Sequence, residues 1–330
     1  MRLAAAPPRA LDIPRALDIP RALDITPNDL AVLTAVTAPR RHQDVTAGAA
    51  ATLTNELYAN LVSDIDQDAP VVAMGALASG TDAARAEQLT EEIYRGLGRH
   101  VDDYAAWVAA GAMISGTDAA RAIAVTNEVF GNVHYRIEDQ SHLLALGALA
   151  TGTSGVAAAQ LANAIHGRLR EDMQETAPVV AVAAMLGGLD AKAAVDQLHD
   201  LYSGMRGPIR TAAHVVALGA FARKLAPAQA ASFTNDVHSA MDFSIDPYAP
   251  VVAMGAITAG VDAKAGATFA NVAFRQLRAA VDEHAAWVAV AAMRGGVSAT
   301  AAADLTNSLY RELHPALDEH APVVAIGALS

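Results

Sequence analysis

A single spacing governs this chain: 36 residues separate Val71 from Trp107, and the same step leads on through Leu143, Val179, Val215, Val251, Trp287 and Val323. Two positions after each stands an alanine, from Ala73 through Ala109, Ala145, Ala181, Ala217, Ala253 and Ala289 to Ala325. A fixed period of roughly 20–50 residues marks a repeat array, because one unit cannot bury its apolar face alone and must stack on the next. This overrides the one to three ordinary domains that 330 residues would otherwise suggest.

Within a unit the punctuation is helical. Asp66-Gln67-Asp68 places acid where a helix N-terminus favours it. Ala69-Pro70 suits a first turn, and Val71 through Ala78 reads as a short helix A. Glycine then recurs as Gly80, Gly116, Gly152, Gly188, Gly260 and Gly296, as a left-handed C-terminal position requires. Lys224 departs from this, so its turn is expected to be built differently. Asp82, Asp118, Ser154, Asp190, Asp262 and Ser298 are N-cap residues for a longer helix B. In the remaining unit Ala226 is followed by Pro227. Ala86, Leu89, Ile93 and Leu97 keep the 3–4 spacing of one buried face, and helix B is expected to run to near Arg99.

Stacked hairpins of this kind predict an all-α fold, a right-handed superhelical α-solenoid of about eight two-helix repeats. Residues 28–330 form the array. Its first helix A, over 28–36, is irregular, and its last ends at Ser330 with no helix B after it. That bare end implies either a longer parent protein or self-association through the C-terminal helix. Residues 1–27 stand apart, because PRALDI is written three times, at 8–13, 14–19 and 20–25. Proline every six residues prevents a long helix, so this segment reads as a disordered leader. A short motif repeated in register can also serve as a ligand for a groove.

Composition narrows the function. The chain carries a net charge of −12, which disfavours phosphate-backbone partners. It has no cysteine, hence no disulfide or thiolate ligand. No apolar run reaches the ~18–20 residues of a membrane span, and no signal-peptide core is visible. The cytoplasm is the expected location. The alanine- and arginine-rich style with tandem copying also suits a secreted bacterial effector.

Four columns compete as sites. Ala73 and Ala76 with their equivalents form a small-residue stripe for close helix packing. The other side of helix A carries Met74, Trp107, Met254 and Trp287, and is either buried by tight coiling or exposed as a binding stripe. On helix B, asparagine recurs at Asn55, Asn127, Asn163, Asn235, Asn271 and Asn307, with Glu91 and His199 in the other two places. Asparagine is not a helix favourite, so its recurrence needs a cause: a ladder between repeats, or a grip on a peptide main chain. Three residues on, Tyr58, Tyr94, Phe130, His166, Tyr202, His238, Phe274 and Tyr310 read as flank-of-core packing with polar tips outward.

Catalysis is not expected. There is no HExxH, Walker loop or GxSxG elbow. Histidines recur in columns, such as His142 with His214 or His284 with His320, but one repeat apart is roughly 8–10 Å, too far to share a zinc ion. No metal or cofactor is implied.

In general form the array resembles HEAT, armadillo and tetratricopeptide repeats, and its asparagine column resembles the armadillo asparagines that hold peptide backbone. The units at 69–89 and 177–198 also resemble transcription-activator-like effector repeats. That resemblance implies a DNA-reading role for the inter-helix turns, at Ser79-Gly80, Ser115-Gly116, Thr151-Gly152, Gly187-Gly188, Arg223-Lys224, Ala259-Gly260 and Gly295-Gly296. The residues after these turns depart from that family, since Asp82, Asp118, Asp190 and Asp262 bring carboxylates that repel phosphate. The expected function is therefore a non-catalytic scaffold binding a peptide or protein. Partner-binding candidates are Asn127, Asn163, Asn235, Asn271, Asn307, Trp107, Trp287, Met74 and Met254. Nucleic-acid binding and a self-assembling array are the alternatives.

Overall fold

The computed structural model describes residues 45–99 and 101–330. The leader and the irregular first helix A over 28–36 lie outside the described residues.

Sixteen α-helices and eight short 3-10 helices make up the secondary structure of the described residues, among which there is no strand. The helices B are α1 (Ala47–Asn60), α3 (Ala83–Gly96), α5 (Ala119–Asn132), α7 (Gly155–His166), α9 (Ala191–Gly204), α11 (Pro227–Ala240), α13 (Ala263–Gln276) and α15 (Ala299–Glu312). The helices A are α2 (Ala69–Ser79), α4 (Ala105–Ser115), α6 (Ser141–Thr151), α8 (Ala177–Gly187), α10 (Ala213–Ala222), α12 (Ala249–Ala259), α14 (Ala285–Gly295) and α16 (Ala321–Leu329). Within each set the first residues fall 36 apart. No single described helix is long and apolar enough to cross a membrane.

Local chemistry explains the boundaries. Thr46, Asp82, Asp118, Ser154, Asp190, Asp262 and Ser298 each accept a hydrogen bond from the backbone N–H three residues on, satisfying one orphan donor of helix B. Six helices A end on a left-handed glycine, from Gly80 at φ 73° to Gly296 at φ 67°. The turn at Lys224 keeps the left-handed backbone of the others but is built from different side chains, and its helix A stops one residue earlier, at Ala222. Lys224 takes φ 53°, and the Leu225 N–H reaches back to the Ala220 carbonyl, as the Thr81 N–H does to Ala76. The lysine is forced into the conformation glycine supplies elsewhere. Helix B stops earlier than its apolar spacing suggests: α3 ends at Gly96, and Leu97 is extended at ψ 154°.

The array closes on itself. Helix α16 packs against α2 as each helix A packs on the next, and α15 packs against α1 in the same way. A β-carbon added to Gly327 of α16 would lie 2.5 Å from the Met74 Cα of α2, so the two backbones touch. Helix α1 also takes the place beside α16 that helix B takes in every other unit. The expected open superhelix with a bare last helix A is therefore corrected to a ring of eight A–B units. The first described helix is the missing partner of the last, because the turn per repeat adds up to about a full circle after eight units.

Closure also settles the helix A stripe. Met74 and Met254 are 0% exposed, Trp287 1% and Trp107 5%. The ring turns this side of every helix A inward, so these four candidates are core residues and not an exposed binding stripe. Helix B keeps an exposed outer face: in α3 only Ala86, Leu89, Thr90 and Ile93 are buried.

Candidate functional site

The asparagine column has a repeated geometry. The Asn127 amide donates to the Gly96 carbonyl at 3.3 Å, and its Oδ1 accepts from the Gly98 N–H at 3.3 Å. Asn163 holds the Asn132 carbonyl at 2.8 Å and the His134 N–H at 2.7 Å. Asn235 spans Gly204 and Arg206, Asn271 spans Ala240 and Asp242, and Asn307 spans Gln276 and Arg278. Each asparagine thus clamps the C-terminus of the preceding helix B, taking its last carbonyl and the N–H two residues on. That clamp is why helix B ends at Gly96 and not near Arg99. The five asparagine candidates are engaged within the protein, and their amides are not offered to a peptide main chain.

Asn55 does the same across the ring closure. Its amide donates to the Glu312 carbonyl at 3.1 Å, and its Oδ1 accepts from the His314 N–H at 2.8 Å. The residue whose N–H is held also lays its side chain over the aromatic column. The His314 ring lies 4.9 Å from Tyr58, that of His134 4.7 Å from His166, and the Arg278 guanidinium 4.8 Å from Tyr310. Tyr94 turns its hydroxyl outward to Asp64 at 2.9 Å.

Burial disfavours the charged form of His214 and His284. Burial pushes His214 down to about 4 against a weaker opposing hydrogen bond from the Thr211 backbone. Burial and then the neighbouring His320 push His284 down to about 4. Among the described residues no group of three or more acidic or histidine side chains is placed to hold a metal ion.

Three of the inter-helix turns carry internal hydroxyl pairs. The hydroxyls of Ser79 and Thr81 lie 2.7 Å apart, and those of Ser115 and Thr117 and of Thr151 and Thr153 both 2.8 Å. The turn at 223–227 differs. Ala226 offers no side-chain cap to α11, and Lys224 carries a long cation where six other units have glycine. Between this turn and Gly187-Gly188 of the preceding unit lies a cleft of about 620 Å³. Leu189, Phe221 and Leu225 line it, and Gln197, Asp200 and Lys224 bring polar groups to it. Neither Lys224 nor Asp200 makes a side-chain hydrogen bond or ion pair among the described residues. Sequence reading marked this turn as irregular but did not name it as a site. The signal was there in Lys224 and Ala226 breaking two columns within three residues.

No protein-family model, curated protein or solved structure matches the chain.

Proposed function

We propose that this chain is a non-catalytic ring scaffold that binds a peptide segment of a protein partner at the cleft between the fourth and fifth units. One observation carries the reading: a cleft of about 620 Å³ sits where the eightfold regularity is broken. That volume falls within the range of ligand sites, roughly 300–1,000 Å³. Its lining pairs two half-buried leucines with a cation and an anion that are unpaired among the described residues, a combination suited to a short amphipathic peptide. A left-handed lysine costs on the order of 1 kcal/mol relative to glycine, and such strain persists where a side chain is needed.

The alternatives have less support. In three of the seven turns that would read bases the hydroxyls are bonded to each other, and Asp82, Asp118, Asp190 and Asp262 cap their own helices. The C-terminal helix proposed for self-association is covered by α1, α2, α14 and α15.

The test is selection of a random peptide library on the immobilised full chain, with the Lys224→Gly variant as counter-screen. Glycine suits the turn, so the variant keeps the ring. Enriched peptides should carry an acidic residue and lose at least about tenfold affinity for the variant, roughly one charge-assisted hydrogen bond. Binding indifferent to Lys224→Gly, or no enrichment, contradicts the site.

A further inference from the structure

We infer that the occupant of this cleft is the chain's own PRALDI segment, so that the ring carries a tethered, self-competing ligand. The inference rests on the reading of the cleft as a peptide site.

The chain has only three lysines, Lys192, Lys224 and Lys264. Lys192 is paired with Asp196 at 2.5 Å on the outer face of α9. Lys224 is the one placed in a cleft, and it stands at φ 53° where Gly80, Gly116, Gly152, Gly188, Gly260 and Gly296 stand in other units. The uncapped start of α11 beside it adds partial positive charge on the same side. Asp200 supplies the opposite charge, and Leu189 and Leu225 lie in the same cleft.

The leader is complementary to that pattern. Each hexapeptide presents an arginine, then a leucine, then an aspartate: Arg9, Leu11 and Asp12, repeated as Arg15, Leu17 and Asp18, and as Arg21, Leu23 and Asp24. The aspartate matches Lys224 and the helix start, the arginine matches Asp200, and the leucine matches the leucine walls. Proline fixes its own φ, so a peptide with one at each motif's start loses less entropy on docking. Three copies in register give three equivalent chances to occupy one seat.

Topology brings ligand and seat to the same face. Helix B begins where the inter-helix turn ends, so the N-terminus of α1 at Thr46 lies on the face that carries every such turn, including 223–227. The cleft lies about half-way round the ring from α1. Eight inner helices spaced at about 9 Å, with an outer layer beyond, make a ring roughly 40 Å across. The 21 residues from Asp24 to Val45 can reach up to about 70 Å if all are extended, and about 50 Å with the expected helix A over 28–36. The tether therefore spans the ring, at an effective concentration in the millimolar range. An outside peptide has to displace it.

The experiment uses the full chain. Zero-length carbodiimide coupling joins a lysine amine to a carboxylate in contact, and peptide mapping identifies the pair. Lys224 should be found joined to Asp12, Asp18 or Asp24, well above any leader link to Lys264. Equal linking of the leader to both lysines, or none to Lys224, overturns the inference. In parallel, a free PRALDIPRALDI peptide is titrated into the wild type and into the D12N/D18N/D24N variant. The variant should bind it at least about tenfold more tightly, because its own leader no longer competes. Equal affinities overturn self-competition. A library-selected peptide that binds both proteins equally and still depends on Lys224 would remove the leader while leaving the cleft as a site.

Discussion

The His314 N–H donates to Oδ1 of Asn55 across 2.8 Å, joining residues 259 apart in the chain. With the Asn55 amide on the Glu312 carbonyl, it repeats at the chain's break the clamp made inside the array by Asn163 on Asn132 and His134. One side chain therefore does the same work at a covalent junction and at a non-covalent one.

Replacing Asn163 with Ala removes two hydrogen bonds, one exposed and one part-buried, whose backbone partners can turn to water. The expected loss is about 1–2 kcal/mol, a melting temperature lowered by a few degrees. Asn55→Ala should cost as much in equilibrium melts, and in addition should raise hydrogen exchange in α1 and at the C-terminal end of α15, which no adjoining chain holds together. A melt unchanged by Asn163→Ala would remove the ladder.

Glycine substitutions should separate backbone contact from side-chain contact. A β-carbon at Gly327 would meet the Met74 Cα and carbonyl oxygen at 2.5 Å, atoms that cannot move without shifting α2. At Gly111 the nearest atom is the mobile end of Leu146. Gly327→Ala is therefore expected to destabilise by about 2–3 kcal/mol and Gly111→Ala by less, as overpacking in general does. Equal melting temperatures would contradict backbone contact at the closure.

Much of this was legible because it is local. Caps such as Asp82 and stops such as Gly80 act within one turn of chain, so sequence spacing located them. Ring closure depends on the rotation per unit summed eight times, which no single residue encodes. Two clues were nonetheless present. The described helices begin with a helix B and end with a helix A, which are complementary halves of one unit. Asn55 also keeps the asparagine column although no helix B precedes it among the described residues. The burial of Trp107, Trp287, Met74 and Met254 was undecidable from helix A alone, since it follows from closure. The over-long helix B came from extending an apolar pattern through Leu97, where the next unit's asparagine ends the helix.

Acid should weaken the ring in a defined window. His214 and His284 titrate near 6.5 when unfolded and near 4 when folded, both chiefly because burial disfavours the charged form. Between these values the unfolded chain binds more protons, so stability falls as pH drops from about 6.5 to about 4 and levels off below. At His214 proline stands in equivalent units as Pro70, Pro178, Pro250 and Pro322. His214→Pro should flatten the pH dependence by up to about 3 kcal/mol, at roughly 1.4 kcal/mol per unit. Denaturant melts at pH 7 and pH 4 check this, and parallel losses in both proteins would contradict it.

The irregular turn should be improvable. Lys224→Gly relieves a left-handed side chain and Ala226→Asp restores the missing cap, so each should add about 1 kcal/mol. A lower melting temperature for Lys224→Gly would show that the lysine side chain supports the fold itself, which the cleft reading does not anticipate.

A covalent circle should also fold. Counting by the 36-residue step, Ser330 corresponds to Ala78 and Thr46 to Asp82, so three residues are missing between them. A chain joined through Ser-Gly-Thr and opened instead between Gly207 and Pro208 should keep the helical content and melt no lower than the original. Failure of this permutant to fold, with the linker intact, would argue against closure.

The most direct measurement is a distance across the closure. The chain has no cysteine, so Thr52→Cys in α1 and Asp304→Cys in α15 can carry two spin labels at matching heights on neighbouring helices. A closed ring, with axes about 9 Å apart, gives one narrow distribution below about 30 Å once label arms are included. An open superhelix places the first and last helices B further apart, and a broad distribution beyond about 40 Å would contradict the ring.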